Sequence, residues 1–167
     1  MQQSSIHTSR AGHRRRRIAA GFSVAELLVG VQIFVIVVLT ALPTMSQFLR
    51  TYRLRGAAHE VFADLEAARI GAVMENHHYR FLVIDTHTFK LHDDTNSNDN
   101  IDTGETVVTR DIQTDNPGVQ INGGSSNVTF VPNGTATTYG TITVSSEAAT
   151  TDTAQVQISA GGWIRIP

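Results

Sequence analysis

The sequence has 167 residues, of which 41% are hydrophobic and 17% are charged, and this composition suits one packed domain and excludes a disordered chain. It contains no cysteine, which excludes a disulfide framework and a thiolate metal site. The formal net charge is −2, but five of the 13 basic residues and no acid lie in the first 21 positions. The remainder therefore carries eight basic and 15 acidic residues, a net charge of −7, and has little attraction for nucleic-acid phosphates.

Residues 1–21 are predicted to be a basic leader. The run Arg14 to Arg17 precedes three small residues, Ala19, Ala20 and Gly21, and an apolar stretch follows. Positive charge directly before an apolar span stays on the cytoplasmic side of a membrane, so the rest of the chain is expected outside. A secretory signal peptide would carry the small residues after its apolar region. The order found here therefore predicts a leader that is removed on the cytoplasmic side.

Residues 22–45 are predicted to be the transmembrane part of a long helix. These 24 residues extend about 36 Å as a helix, which exceeds a hydrocarbon core of about 30 Å. Glu26 is the one charged residue in the run. Because a carboxylate in hydrocarbon costs at least about 2.5–3.5 kcal/mol, we expect Glu26 to have a function and a partner. Pro43 is expected either to kink the helix or to mark its exit from the membrane.

The segment from Gly21 to Val29 resembles the processing site of type IV pilins and of the pseudopilins of type II secretion. The shared features are the basic leader, Gly21, a following Phe22, and Glu26 at the fifth place of the cleaved chain. The resemblance implies that prepilin peptidase cleaves between Gly21 and Phe22, and that Phe22 becomes an N-methylated terminus. It also implies that Glu26 and Pro43 act in assembly with other pilins or pseudopilins on an inner-membrane assembly platform.

The helix is predicted to continue to residue 77 with an amphipathic pattern, because apolar residues recur at steps of three and four. These residues are Ala58, Phe62, Leu65, Ala68 and Ala72. Seven short, alternating segments then predict an antiparallel β domain over residues 78–167. The segments are 79–85, 88–93, 105–113, 127–132, 139–146, 154–160 and 162–167. Three polar stretches, 122–127, 132–138 and 145–153, are predicted to be connections.

This plan resembles the GspH/FimT-type minor pseudopilins and minor pilins, which share the segment LEAARIGAV at 65–73 and the ending ISAGGWIRI at 158–166. The resemblance implies an α+β, type IV pilin-like fold, in which a long N-terminal helix over 22–77 packs on a periplasmic β domain over 78–167. It implies a single-pass inner-membrane protein that is not an enzyme and requires no cofactor. A type II secretion pseudopilus and a type IV pilus both suit the sequence.

A loop rich in oxygen side chains follows the second predicted strand. Counted from its first aspartate, the loop has the spacing of the EF-hand calcium loop, in which place seven supplies a backbone carbonyl and place twelve is glutamate. The residues are Asp94, Asn96, Asn98, Asn100, Asp102 and Glu105. Place six is Asp99 instead of glycine, although aspartate also adopts the left-handed conformation. The spacing predicts a Ca²⁺ site, and the alternative interpretation is a polar hairpin tip.

The remaining polar candidates carry weaker signals. His77 and His78 are predicted to be solvated at the helix end, because adjacent helical residues point apart and no acidic partners are evident. Trp163 is predicted to lie in the core or on the sheet surface. No spacing of serine, histidine and aspartate predicts a catalytic triad.

Residues Gly162 to Arg165 resemble the closing glycine-arginine-x-arginine segment that is associated with DNA contact in some FimT-type minor pilins. Only Arg165 matches an arginine, so nucleic acid is not an expected partner unless Lys90, Arg110 and Arg165 form a local patch. Two alternative functions stay open: a minor pilin that assists DNA uptake, and a membrane-tethered periplasmic module whose binding depends on calcium.

Overall fold

The computed structural model describes residues 21–122 and 127–167, apart from the side chains of residues 42–44. The chain divides into two compact units, Met1–Ala41 and Leu42–Pro167. Helix α1, Val24–Glu75, is the first element, and nine β-strands follow. The arginine run of the predicted leader lies outside the described residues, and the boundaries 1–21, 22–77 and 78–167 stay predictions.

In the first unit, α1 is exposed and apolar. It contains an 18-residue window with a mean hydropathy of 2.4, none of which is buried, so its length and composition allow it to cross a membrane. Bulky side chains such as Leu27, Phe34 and Leu39 are each at least 60% exposed. Within the part of the chain that the structure describes, these side chains therefore stay exposed, whereas residues of this kind are normally buried.

In the second unit, α1 buries one face. The buried residues recur every three or four positions, as a helix packed on one side requires: Leu54, Ala57, Ala58, Val61, Leu65, Ala68 and Ala72. The helix ends at Asn76, which has a φ of 61° and donates its N–H to the carbonyl of Ala72 at 3.1 Å. Asparagine tolerates this left-handed conformation and so supplies the C-terminal stop.

The strands form two antiparallel sheets. They are β1 His78–Val83, β2 Thr88–Asp94, β3 Thr106–Asp111, β4 Val119–Asn122, β5 Asn127–Phe130, β6 Ala136–Thr138, β7 Thr141–Ser146, β8 Ala149–Ile158 and β9 Ile164–Arg165. One sheet has the order β3-β2-β1-β5-β6 and the other the order β4-β7-β8-β9. Buried residues of α1 and of both sheets share one core, in which Phe81 stacks on Phe89 with ring centroids 4.6 Å apart.

The predicted fold class, a long N-terminal helix packed on an antiparallel β domain, is confirmed, but three strand assignments were wrong. Strand β4 was not predicted, since only Val119 and Ile121 of its four residues carry an alternating signal. Strand β6 and the first half of β8 lie in stretches that were predicted to be polar connections. Residues 150–153 of β8 are exposed threonines and an aspartate that present no apolar face, and of these four residues Thr153 is the one with a register partner, Ser145 on β7.

Candidate functional site

The predicted processing site lies directly before α1. Gly21 and Phe22 precede the helix, and Ser23 begins it by accepting backbone N–H groups from Glu26 at 3.0 Å and Leu27 at 3.1 Å. Glu26 lies in the first turn, where a carboxylate interacts favourably with the helix dipole. Its side chain has no hydrogen bond or ion pair among the described residues. Pro43 lies within α1, and its side chain is outside the described part of the chain.

The acidic loop between β2 and β3 folds around Asp94, the last residue of β2. This side chain is fully buried, and its two oxygens accept the backbone N–H groups of Asn98 at 3.1 Å and Asp99 at 2.8 Å. Ser97 and Asp99 have φ values of 55° and 64°. Asp99 thus adopts the left-handed conformation at the place where glycine is usual, and the loop makes the sharp turn that its spacing requires.

Two asparagine side chains converge on Asp102. The Nδ2 groups of Asn96 and Asn98 donate to Asp102 Oδ2 at 2.8 Å and 2.6 Å. These hydrogen bonds favour the charged carboxylate and lower the pKa of Asp102. Asn100 joins the network through its backbone N–H, which donates to Asn98 Oδ1 at 2.7 Å.

Glu105 closes the loop from a nearly buried position, with a side chain only 6% exposed. Its Oε2 accepts the backbone N–H of Asp102 at 2.9 Å and the ring N–H of the buried His92 at 2.8 Å. Those two donors, the backbone one first, lower the pKa of Glu105. Its other oxygen, Oε1, is buried and has no hydrogen-bond partner among the described residues.

Hydrogen bonds therefore join all six predicted loop residues into one network, and the loop contributes oxygen atoms of the kind that hard cations prefer. His92 was missed as a neighbour of this network. The signal that could have found it is the alternation of β2, which places His92 on the same face as Asp94 and opposite the core residue Phe89.

The prediction that His77 and His78 are solvated was wrong. Their side chains are 14% and 24% exposed, and each meets carboxylates. His77 lies 3.3 Å from Glu75 and 3.1 Å from Asp93. Glu75 is close to His77 in the sequence, but Asp93 was not evident because the β1–β2 hairpin brings it to this point, with His78 directly opposite Asp94 in the register.

The closing segment exposes Trp163, which is 73% exposed and stands before β9, with the Arg69 guanidinium 5.7 Å from its ring. The guanidinium of Arg165 donates to Gln157 Oε1 at 2.9 and 2.7 Å. Arg110 lies 3.0 Å from Asp64. Lys90 and Arg110 are on the first sheet, whereas Arg165 is on the second, so the structure does not bring these three residues onto one sheet.

The long N-terminal helix, its exposed apolar half and the two antiparallel sheets define a type IV pilin-like subunit. The family model of the type II transport protein GspH matches residues 57–162, and the chain belongs to this family. The predicted family and fold are thus confirmed.

Two solved structures share this fold, and both are of the type IV minor pilin FimU from Pseudomonas aeruginosa strain PAO1. The first has a TM-score of 0.57 and 20% identity, and covers 72% of this chain and 92% of that chain. A second crystal form has a TM-score of 0.51 and 20% identity, and covers 68% of this chain and 92% of that chain. No curated protein matches the sequence.

Proposed function

We propose that the chain is a minor pseudopilin or minor pilin subunit that is cleaved by prepilin peptidase after Gly21, anchored in the inner membrane, and assembled with other pilins. The single observation that carries the proposal is the exposed apolar half of α1, which directly follows a glycine and a phenylalanine at the predicted cleavage point. In this topology the N-terminus is cytoplasmic and residues 78–167 are periplasmic.

An apolar helix half that the described residues leave uncovered needs an apolar environment, which lipid supplies before assembly and neighbouring helices supply afterwards. Packing among such helices holds subunits together but does little to fix the position of one subunit along its neighbour, because their surfaces are uniformly apolar. A subunit that must take one position in a filament therefore needs a polar contact that distinguishes that position from its neighbours.

Glu26 supplies that contact in our proposal. After cleavage the chain begins with a charged amine at Phe22, about one helical turn from the Glu26 carboxylate. When subunits are offset along a bundle, Glu26 of one faces the amine of the next. A charge pair in an apolar environment is stronger than in water, and each group removes the cost of leaving the other unpaired. Glu26 thereby selects and aligns subunits.

The test compares Glu26→Leu with Gln32→Leu, which also replaces a polar side chain by leucine in the same apolar run. Both variants should be processed and inserted in the membrane. Crosslinking to other pilins in cells should fall by at least about tenfold for Glu26→Leu, the equivalent of about 1.4 kcal/mol, and stay near wild type for Gln32→Leu. Wild-type crosslinking by Glu26→Leu would show that the charge does not align subunits.

A further inference from the structure

We propose that the loop from Asp94 to Glu105 binds one calcium ion. The ligands are side-chain oxygens of Asp94, Asn96, Asn98, Asp102 and Glu105 and the backbone carbonyl of Asn100. This inference goes beyond the assembly role and stands on the contacts of the loop, whichever machine the subunit serves.

The loop has the right donors in the right order for calcium. The ion takes about six to eight oxygen ligands, and the EF-hand loop supplies them from places one, three, five, seven, nine and twelve. All six places carry an oxygen donor here. The backbone makes the turn at place six, and hydrogen bonds already hold Asn96 and Asn98 against Asp102. Little rearrangement of the backbone is then needed for these groups to converge on an ion.

A separate observation points to a cation at this place. The Glu105 side chain is only 6% exposed, and its Oε1 makes no hydrogen bond within 3.5 Å in the described parts of the chain. The carboxyl faces the loop, since the backbone N–H of Asn96 also contributes to the lowered pKa of Glu105. Its Oε2 lies against the loop, since it accepts the N–H of Asp102. Buried polar atoms are nearly always paired, and an unpaired carboxylate oxygen costs more than a neutral one. A cation held by the loop satisfies Oε1.

The charge around the loop favours the same ligand. Asp94, Asp102 and Glu105 make no ion pair with lysine or arginine among the described residues. Arg80 contacts the loop at place six, where it lies 3.6 Å from the Asp99 carboxylate and donates to the Asp99 carbonyl, and it makes no ion pair with the three carboxylate ligands. Among the described residues, the three carboxylates at places one, nine and twelve thus lack a lysine or arginine partner. The His92 ring is hydrogen-bonded to Glu105, and the His78 ring lies near Asp94.

Two histidine groups beside the loop offer a competing metal site. His78, Asp94 and Asp99 have ligand atoms within 4.8 Å of one another, and so do Glu75, His77 and Asp93. Imidazole ligands favour transition metals, whereas an all-oxygen set favours calcium. Asp94 belongs to both the loop and the His78 group, and Asp99, which is not a ligand of the calcium loop, distinguishes these two sites. The group of Glu75, His77 and Asp93 shares no ligand with the loop.

The experiment uses the full chain in detergent micelles, stripped of metal with a chelator, and measures its melting temperature and calorimetric titration with CaCl₂. We expect a rise in melting temperature and a Kd of about 10⁻⁴–10⁻³ M, the range of extracellular calcium modules. Asp102→Asn and Glu105→Gln should weaken binding by at least about tenfold, because each removes a ligand charge. Asp99→Asn removes the same charge from the same loop and should bind calcium like wild type.

Several results would overturn the proposal. One is the absence of any calcium-dependent shift in the wild-type chain at about ten times the expected Kd. A second is a calcium-dependent rise in melting temperature in Asp102→Asn and Glu105→Gln that equals the wild-type rise. A third is an equal rise with MgCl₂ in place of CaCl₂. A fourth is loss of the rise in Asp99→Asn alone, which would place the ion in the His78 group. Melting temperatures in chelator show whether each variant is folded. Asp102 is exposed, so its variant keeps the test decisive even where Glu105→Gln is unstable.

Discussion

Gly162 packs closely against the backbone carbonyl of Gly134, and replacing it with alanine should destabilise the protein strongly. The residue has a φ of +77° and lies in the turn between β8 and β9, where its N–H donates to the Ser159 carbonyl at 2.9 Å. An added Cβ would clash with the carbonyl oxygen of Gly134 and would lie 3.1 Å from the Gly134 carbonyl carbon and 3.2 Å from Arg69 Nε. Arg69 Nε itself donates to that carbonyl at 3.1 Å.

Two costs add in Gly162→Ala. A left-handed conformation costs an L-residue about 1–2 kcal/mol, and overpacking against backbone costs about 1–3 kcal/mol. The sum, about 2–5 kcal/mol, is a large part of the roughly 5–15 kcal/mol by which a domain is stable. For a chain of this size it lowers the melting temperature by roughly 4–20 °C.

Gly161→Ala is the matched control, because its added Cβ meets only side chains, the nearest being the exposed Trp163 at 3.3 Å. It should change the free energy of unfolding by about 0.5 kcal/mol or less. The assay is thermal unfolding of the full chain in micelles, followed by far-ultraviolet circular dichroism. If Gly162→Ala and Gly161→Ala have the same melting temperature, the close approach of this turn to Gly134 does not limit what residue 162 can be.

Two further predictions concern the core and the acidic loop. Leu65→Ala should lower the free energy of unfolding by about 2–5 kcal/mol because Leu65 is fully buried. Ile70→Ala, at a half-exposed position of the same helix, should lower it by less than about 1 kcal/mol. Similar losses for the two variants in denaturant titration would contradict the assigned helix face. The pKa values of Asp102 and Glu105 are lowered in the folded chain, so their contribution to stability is complete above the unfolded values of about 3.9 and 4.3 and is lost as the pH falls through the folded values. In chelator, between about pH 5 and pH 2, the wild-type chain should therefore lose more stability than the double variant Asp102→Asn, Glu105→Gln. If the stability of the two proteins depends on pH in the same way, these two carboxylates do not make the assigned contribution.

Features that depend on residues close in the sequence were predictable. The buried stripe of α1 follows from a three- and four-residue period, and Leu65, Ala68 and Ala72 are buried as that period requires. The acidic loop was recognised because its six oxygen donors are contiguous along the chain. In both cases the spacing of residues along a short stretch of chain determines which side chains lie on the same side of the helix or of the loop.

Features that depend on strand register were not predictable from one sequence. Asp93, a neighbour of His77, comes from the opposite strand of a hairpin, and Asp99, a neighbour of His78, comes from the loop that follows it. The partner of Glu105 comes from β2. The first half of β8 was missed for a related reason. Its exposed threonines bury no apolar face, and Ala149 and Thr153 pair with β7 across a bulge. Pairing across strands, unlike helical period, leaves little mark on composition.

Mass spectrometry of the N-terminal peptide, on protein extracted from membranes of cells with active prepilin peptidase, tests the proposed processing at its bond. We expect a chain that begins at Phe22 and carries one methyl group on its amine. We also expect Gly21→Leu to retain the leader and Ala20→Leu to lose it. A wild-type chain that keeps its intact Met1 terminus in those cells would contradict processing and, with it, the proposed assembly through Phe22 and Glu26.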